Sequence, residues 1–424
     1  FLFPPPPQSI CSVMKPIIQI LFGLLLICPS FAAPLEVKED ARVVLVGNGL
    51  GARMMHYGHF ETGMHRRYPK HRLFIRNMCD EGNTPGFRPH SARGNPWAFP
   101  GADKLRSLEA TKDRWGSGNV GSGHYKSPDE WLKTLKPDLV VAFFGYGESF
   151  DGVRGLPVFR AELEGFVKHT LSTAYNGQNA PELALVSPIA FQDLSAIHDT
   201  PNGVNENINL ALYAGVMEEV AAIHKVHFVN LFAPTQEWFK SSDKPLTRDG
   251  ALPTDEGYAK LAPILLDGLF GTVKPASIPN PALLRKGIEE KNWLWLNYYK
   301  IPNGVHVFGR RHGPYGPKNY PAELRKLAQM MAVRDQAIWA SLSGKAFDLA
   351  AGDAGTDALP DMGKNKARYL PVDDATKAIA VPEGYKIELF ASEREFPFLA
   401  NPVQLSFDNR GRLWVSTMPS YPHY

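Results

Sequence analysis

The sequence predicts an α/β protein with a doubly wound parallel sheet and helices on both faces, over residues 41–271. Three observations predict it. Short β-branched or aromatic runs recur along this stretch, "ARVVLV", "RLFIR", "DLVVAFF", "ELALVS" and "VHFVNL", as expected of strands buried on both faces. Longer amphipathic segments separate them, as crossover helices require. The first run ends in Gly47-Asn48-Gly49, a tight turn that leads straight into a helical pattern.

Each element follows in order. "ARVVLV" is the first strand, "RLFIR" the second and "DLVVAFF" the third. "GLPVFRAELEGFVKHTLSTAY" reads as a helix that begins near Pro157, where a missing N–H costs least. "NINLALYAGVMEEVAAIHK" has apolar residues at helical spacing, and "TDEGYAKLAPILLDGLFG" closes the unit at Gly271. Ligands of such sheets bind outside the carboxyl ends of the strands. That places Gly47-Asn48-Gly49, the loop after Arg76 and the loop after Phe144 on one rim.

The rest of the chain is read as four further segments. Met14 and Lys15 lead into "PIIQILFGLLLICPSFAAP", an apolar run of signal-peptide length, and Ser30 and Ala32 fit a small-x-small cleavage site. Residues 14–33 are therefore read as a signal peptide for a protein exported to the periplasm or beyond the cell. No stable membrane span is expected after cleavage; a membrane anchor is the alternative, although the run is short for a bilayer. The α/β domain is assigned to 34–274, a helical extension to 275–345, a polar linker to 346–380 and a strand–turn–strand segment to 381–424. In the last, "QLSFDNRGRLWVST" reads as a hairpin. Two strands do not fold alone, so a truncated third domain is expected there.

Composition excludes some functions. Hydrophobic residues make up 44% of the 424, enough for a full core, and the net charge is only +3. No nucleic-acid footprint is present, since a phosphate-binding surface needs a strong cationic excess. Cys11 and Cys28 fall in the segment before the mature chain, leaving Cys79 and no internal disulfide.

The three rim segments and "LTRDGALPTDEGYAKLA" carry the chemistry, and here the sequence resembles the SGNH (GDSL-type) hydrolases over about residues 41–271. That resemblance implies a three-layer, flavodoxin-like parallel sheet. It also implies four blocks: Gly-Asp-Ser after the first strand, a loop glycine after the second, Gly-x-Asn-Asp after the third, and Asp-x-x-His before the last helix. In such enzymes serine attacks an ester carbonyl, histidine takes its proton, and backbone and asparagine N–H groups hold the oxyanion. In "VVLVGNGLG", Asn48 stands at the aspartate position and Gly49 at the serine position. In "RNMCDEGNTPG", Gly82 keeps the loop glycine. In "VVAFFGYGESF", Gly147 stands at the asparagine position and Glu148 at the aspartate position. In "LTRDGALPTDEGYAKLA", Asp249 is kept and Leu252 replaces the histidine. Serine, asparagine and histidine are thus all missing, and the resemblance implies the family's frame without its chemistry.

Other residues remain candidates. Ser149 and Thr84 lie near the rim, with Glu148 or Asp80 as a possible base; Glu148 is either functional or a loop cap. His56, His59, Glu61 and His65 suggest a metal site but lack any specific ligand spacing, and no metal is expected. Residues 79–126, rich in Gly and Pro, form a lid or a disordered insertion. Within them Arg88, His90, Arg93 and Trp97 either grip a sugar or anionic group or form a solvated basic loop. Trp293, Trp295, Tyr298 and Tyr299 either stack on carbohydrate or form a packing seam.

The stretch "VPEGYKIELFA", with "NPVQLSFDNRGRLWVSTMPSYP", resembles the opening blade of propeller-type glucose/sorbosone dehydrogenases. In exported planctomycete and verrucomicrobial proteins such propellers follow an SGNH-like domain and precede a Cys-x-x-Cys-His haem segment. No cofactor is expected in these residues; the resemblance implies haem or quinone only in further C-terminal sequence. The expected function is glycan or other small-molecule binding by a degenerate hydrolase-like domain. The alternatives are an active carbohydrate esterase or deacetylase built on Glu148 and Asp249, and a structural or interaction module.

Overall fold

The computed structural model describes residues 34–90, 93–106, 123–242, 244–301, 304–309, 312–318, 320–359 and 370–418. Residues 14–33, read as a signal peptide, lie outside the described residues. Strands β1 (Arg42–Gly47), β2 (Phe74–Asn77), β3 (Leu139–Phe143), β4 (Glu182–Val186) and β5 (His227–Val229) are all parallel, in the order β2-β1-β3-β4-β5. This order is the flavodoxin-like one, with its switch point at β1 and β3.

Helices α1 (Gly49–Arg53), α2 (His59–Arg67), α3 (Pro128–Leu135), α4 (Gly152–Ser172), α5 (Val204–His224), α6 (Phe232–Ser241) and α7 (Asp255–Phe270) connect and cover the strands. Alternation along each strand sorts the core. Val43, Leu45, Val141, Phe143 and Ala184 meet Phe60 and Met64 of α2 and Leu261 and Leu265 of α7. Val44, Val46, Val140, Ala142 and Leu185 meet Trp131 of α3, Leu163 and Phe166 of α4, and Met217 of α5. Each fully buried Val, Leu or Phe contributes roughly 1.5–3 kcal/mol over leaving it in water. The three layers follow from that division.

Helix ends follow local chemistry. Ser127 and Glu130 form a capping box at α3, and the Thr254 hydroxyl accepts from the Gly257 N–H at 3.2 Å at α7. α4 begins at Gly152, earlier than the expected start near Pro157. The cause is tertiary: the Tyr213 hydroxyl donates to the Gly152 carbonyl at 2.9 Å and holds this first turn against α5.

Region 275–345 holds α8 (Pro281–Tyr299) and α11 (Tyr320–Leu342), with the short α9 (Gly304–Val307) and α10 (His312–Lys318) between them. Trp295 and Tyr299 are buried in the same core as Trp131, whereas Trp293 is exposed. The helices also cover the β2 edge. Alternate carbonyls there accept side-chain donors: Leu73 O from Trp339 Nε1 at 3.2 Å, Ile75 O from Lys291 Nζ at 3.1 Å, and Asn77 O from Trp295 Nε1 at 2.6 Å. An open strand edge is thereby blocked from pairing with another chain. Arg76 pairs with Asp335 of α11 at 2.5 Å, and Lys291, fully buried, forms an ion pair with Glu61 of α2.

The stretch read as a polar linker contains α12 (Leu349–Ala354) and α13 (Val372–Ala378). Arg334 of α11 holds α12 through Asp353, which explains order in so polar a segment. Strands β6 (Pro402–Phe407) and β7 (Leu413–Thr417) form an antiparallel hairpin. Asp408 shapes its turn by accepting from the Arg410 and Arg412 N–H groups at 2.9 and 3.0 Å. Val403, Leu405 and Phe407 share one face of β6 and are exposed. Among the described residues no helix is long and apolar enough to cross a membrane.

Candidate functional site

The rim is built where β1 and β3 end. Gly47 has φ +127°, and a Cβ there would lie 2.0 Å from the Phe143 carbonyl oxygen, so only glycine fits this close approach. Its carbonyl accepts from the Asp80 N–H at 2.9 Å and from Asn83 Nδ2 at 3.0 Å, which ties the loop after β2 to the turn. Asn48 donates its N–H to Phe143 O at 2.9 Å. Its side chain is buried, and Nδ2 has no hydrogen-bond partner.

A cavity of about 420 Å³ opens on this rim. Asn48, Gly49, Gly82, Gly147, Glu148, Asp249 and Leu252 all line it. These seven positions come from four loops: three leave the carboxyl ends of β1, β2 and β3, and the fourth, with Asp249 and Leu252, connects α6 to α7. Gly49 faces Leu252: a Cβ on Gly49 would meet Leu252 Cδ2 and Glu81 Cγ, each at 3.4 Å. Gly82 and Gly147 have no neighbour within 4 Å of an added Cβ. Asp249 is engaged locally, with Oδ1 accepting from the Ala251 and Leu252 N–H groups at 3.0 and 2.8 Å.

Glu148 is the most perturbed group of the cavity. Its Oε2 accepts from the Gly145 N–H at 2.9 Å, while Oε1 is buried without a partner. Burial, with a smaller push from the Glu162 charge, raises its carboxyl to about 7 against the pull of the Gly145 N–H and of Arg106. Near neutral pH it therefore exchanges between a donor-bearing acid and a carboxylate. Burial beside Asp249 and Glu206 likewise raises the Tyr146 phenol to about 12, so it remains a donor.

Thr84, which the sequence places near the rim, belongs to the wall behind Glu148, and the structure adds the rest of that wall. Glu162 is fully buried in α4 and accepts from Thr84 Oγ1 at 3.0 Å and from Arg106 Nε at 2.8 Å. Thr84, Arg106, Asn83, Tyr146 and Asp151 join the lining. A signal existed in the sequence: Glu162 lies on the apolar stripe of Phe159, Leu163 and Phe166, where a carboxylate needs a partner.

Arg88, His90, Arg93 and Trp97 do not line the cavity. The Arg88 guanidinium is 1% exposed, lies 5.1 Å from the Phe166 ring centroid and 5.9 Å from that of Phe144, and none of its nitrogens has a hydrogen-bond partner. Burial lowers it to about 10. Arg93 donates to the Arg88 and Lys126 carbonyls, His90 stacks on Tyr125 at 4.3 Å, and Trp97 packs edge-on against Phe87. These residues build the base of the loop. Ser149 donates to the Tyr146 carbonyl at 2.7 Å, and Asp80 pairs with Lys300 at 2.5 Å.

The histidines after α1 are separated by their partners. His59 contacts Asp255 at 2.7 Å and Arg285 at 2.8 Å, whereas Glu61 is taken by Lys291 and His65. Among the described residues no group of three or more His, Cys, Asp or Glu side chains is gathered as a metal would need.

Comparison with known proteins gives two kinds of likeness. Residues 371–424 match DUF7133, a domain of unknown function. No curated protein matches the sequence. Among solved structures, the chain is similar to a GDSL-like lipase from Parabacteroides merdae ATCC 43184, at 13% identity and a TM-score of 0.39, covering 56% of this chain and 98% of that one. It is also similar to a catalytic mutant of Axe2, an acetylxylan esterase from Geobacillus stearothermophilus, at 16% identity and a TM-score of 0.37, covering 55% of this chain and 96% of that one.

Proposed function

We propose that residues 34–274 are a degenerate SGNH-type domain whose rim cavity binds a glycan or similar small molecule without cleaving an ester. One observation carries the reading: the positions that would need a nucleophile and its base are Gly49 and Leu252, near enough that a Cβ on Gly49 would lie 3.4 Å from Leu252 Cδ2, and neither has a polar side-chain atom. Glycine has no group to attack a carbonyl, and leucine has none to take a proton. The cavity nonetheless keeps Asn48 Nδ2 and Glu148 Oε1 buried and unpartnered, and a polyhydroxylated ligand supplies hydrogen bonds to both kinds of atom. The leader-like residues 14–33 support an exported location.

Calorimetry of the full chain with neutral oligosaccharides, acetylated and not, tests this. Binding that is lost in Gly147→Phe, which fills the open side of the cavity, is the expected result. Binding unchanged by that substitution removes the cavity from the proposal.

A second reading has its own support. Glu148, held near pH 7 with one oxygen unengaged, is suited to act as general base: it would take a proton from water as the water oxygen attacks an acetyl carbonyl, and return it to the sugar oxygen as the acyl C–O bond breaks to give the alcohol and acetate. Acetate release abolished by Glu148→Gln would establish that esterase and displace the first reading.

Residues 381–424 are proposed to begin a sugar-dehydrogenase-like propeller. The exposed apolar face of β6 supports this, because a lone hairpin is marginal in water. Cys79 is buried and stands alone after residue 28, so these residues offer no Cys-x-x-Cys-His attachment and no step is routed through haem or quinone. Deleting 381–424 should leave the thermal midpoint of the α/β domain unchanged; a fall would assign the hairpin to that core instead.

A further inference from the structure

Across Glu81 from the rim cavity lies a second cavity of about 300 Å³, between α1 and the end of α8. Arg53, His56, Asn297 and Lys300 line it, and Glu81 lines both cavities, so the two adjoin. Arg53 and Lys300 bring two cations to its wall, against the one carboxylate of Glu81. The Arg53 side chain makes no hydrogen bond or ion pair among the described residues, and its Nε is shut off from solvent without a partner. Lys300 spends one donor on Asp80 at 2.5 Å and keeps others to offer. Partial burial and the charges of Arg53, Lys300 and Arg248 hold the His56 imidazole below its ordinary value, with Glu81 the one opposing charge.

We propose that Arg53, His56, Asn297 and Lys300 form a second subsite that takes an oxyanion, a carboxylate or sulfate, carried by the ligand whose neutral part fills the rim cavity. The oxyanion half rests on this cavity alone; the link to a sugar rests on the glycan reading above. A planar guanidinium with unspent donors matches two oxygens of such a group, and the lysine adds a point charge. The ligand class is then an acidic glycan, bearing uronate or sulfate groups. Proton linkage follows, because a bound anion favours the charged imidazole. The His56 pKa rises on binding, and binding is tighter below that pKa than above it.

The test uses the full chain with glucose, glucuronate and glucose 6-sulfate as probes. His56 is titrated by NMR with and without each, its resonance assigned from His56→Gln, and affinities are measured by calorimetry in parallel. The expected result is that both anions raise the His56 pKa and bind at least about tenfold more tightly than glucose, and that Arg53→Gln removes this advantage. An unmoved His56 titration, or an Arg53→Gln variant that binds the anions as well as the natural chain, overturns the subsite. If the anions shift His56 while glucose binds nowhere, the subsite stands and the glycan reading falls. If glucose binds in a way lost in Gly147→Phe while the anions leave His56 unmoved, the glycan reading stands and the subsite falls.

Discussion

Gly49 and Leu252 face each other across the rim cavity, close enough that a Cβ on Gly49 would touch the Leu252 side chain at 3.4 Å. Neither residue carries a polar side-chain atom. In the proposed reading these are the positions of a nucleophile and its base, and neither has a group to pass a proton.

That relationship makes the chemistry restorable. Gly49 has a conformation open to other residues and only ordinary contacts around an added Cβ, and Gly147 has open space. The triple substitution Gly49→Ser, Gly147→Asn and Leu252→His should therefore confer acetyl-ester hydrolysis and phosphonate labelling, neither of which Gly49→Ser alone produces. A triple variant no more active than the single one would show that the frame is not in register.

Glu148 should make stability fall with rising pH. Its folded-state value of about 7 lies above the ordinary 4.5, so the native carboxyl holds its proton more tightly than the unfolded one. The contribution is fully present below pH 4.5 and is lost as pH rises through about 7, by up to about 3 kcal/mol. Urea unfolding at pH 5 and pH 8 measures it. Glu148→Gln should flatten this dependence and gain stability at pH 8, and a slope identical in the variant would contradict the assignment.

Lys291 and Glu61 hold α8 to α2 with both charges buried. Lys291→Met should cost about 3–5 kcal/mol by leaving a buried carboxylate with His65 as its remaining partner, and Glu61→Gln added to it should recover most of the loss. Denaturation of the two variants decides this. A loss as large in the double variant would place the cost in packing.

Arg88 should be replaceable at a gain. Its guanidinium is buried between Phe144 and Phe166 with no hydrogen-bond partner, so desolvation is met only by the ring faces. Arg88→Met should raise the unfolding free energy by about 1–3 kcal/mol. A loss of comparable size would mean that a buried water or anion completes the site.

Arg88 also shows where reading the sequence stops. Its neighbourhood, "FRPHSARGNPW", has the composition of a solvated basic loop, and only the aromatic cage from β3 and α4 makes it interior. The rim was legible because strand ends in a parallel sheet gather on one side. Asn48, Gly49, Glu148 and Leu252 thus share a cavity although more than 200 residues separate the first from the last. Lys291 was half legible: it lies on the apolar face of α8 with Ile288 and Trp295, but nothing local names Glu61 as its partner. The blocked edge of β2 depended on donors more than 200 residues away, beyond any periodicity.

In the proposed function the rim binds a glycan and does not cleave an ester. Acetate release from acetylated xylo-oligosaccharides by the full natural chain, at saturating ligand and with serine-directed phosphonate labelling in parallel, tests it most directly. Binding heat with no release above the buffer rate and no label is the expected result. Sustained release that disappears in Glu148→Gln would contradict it.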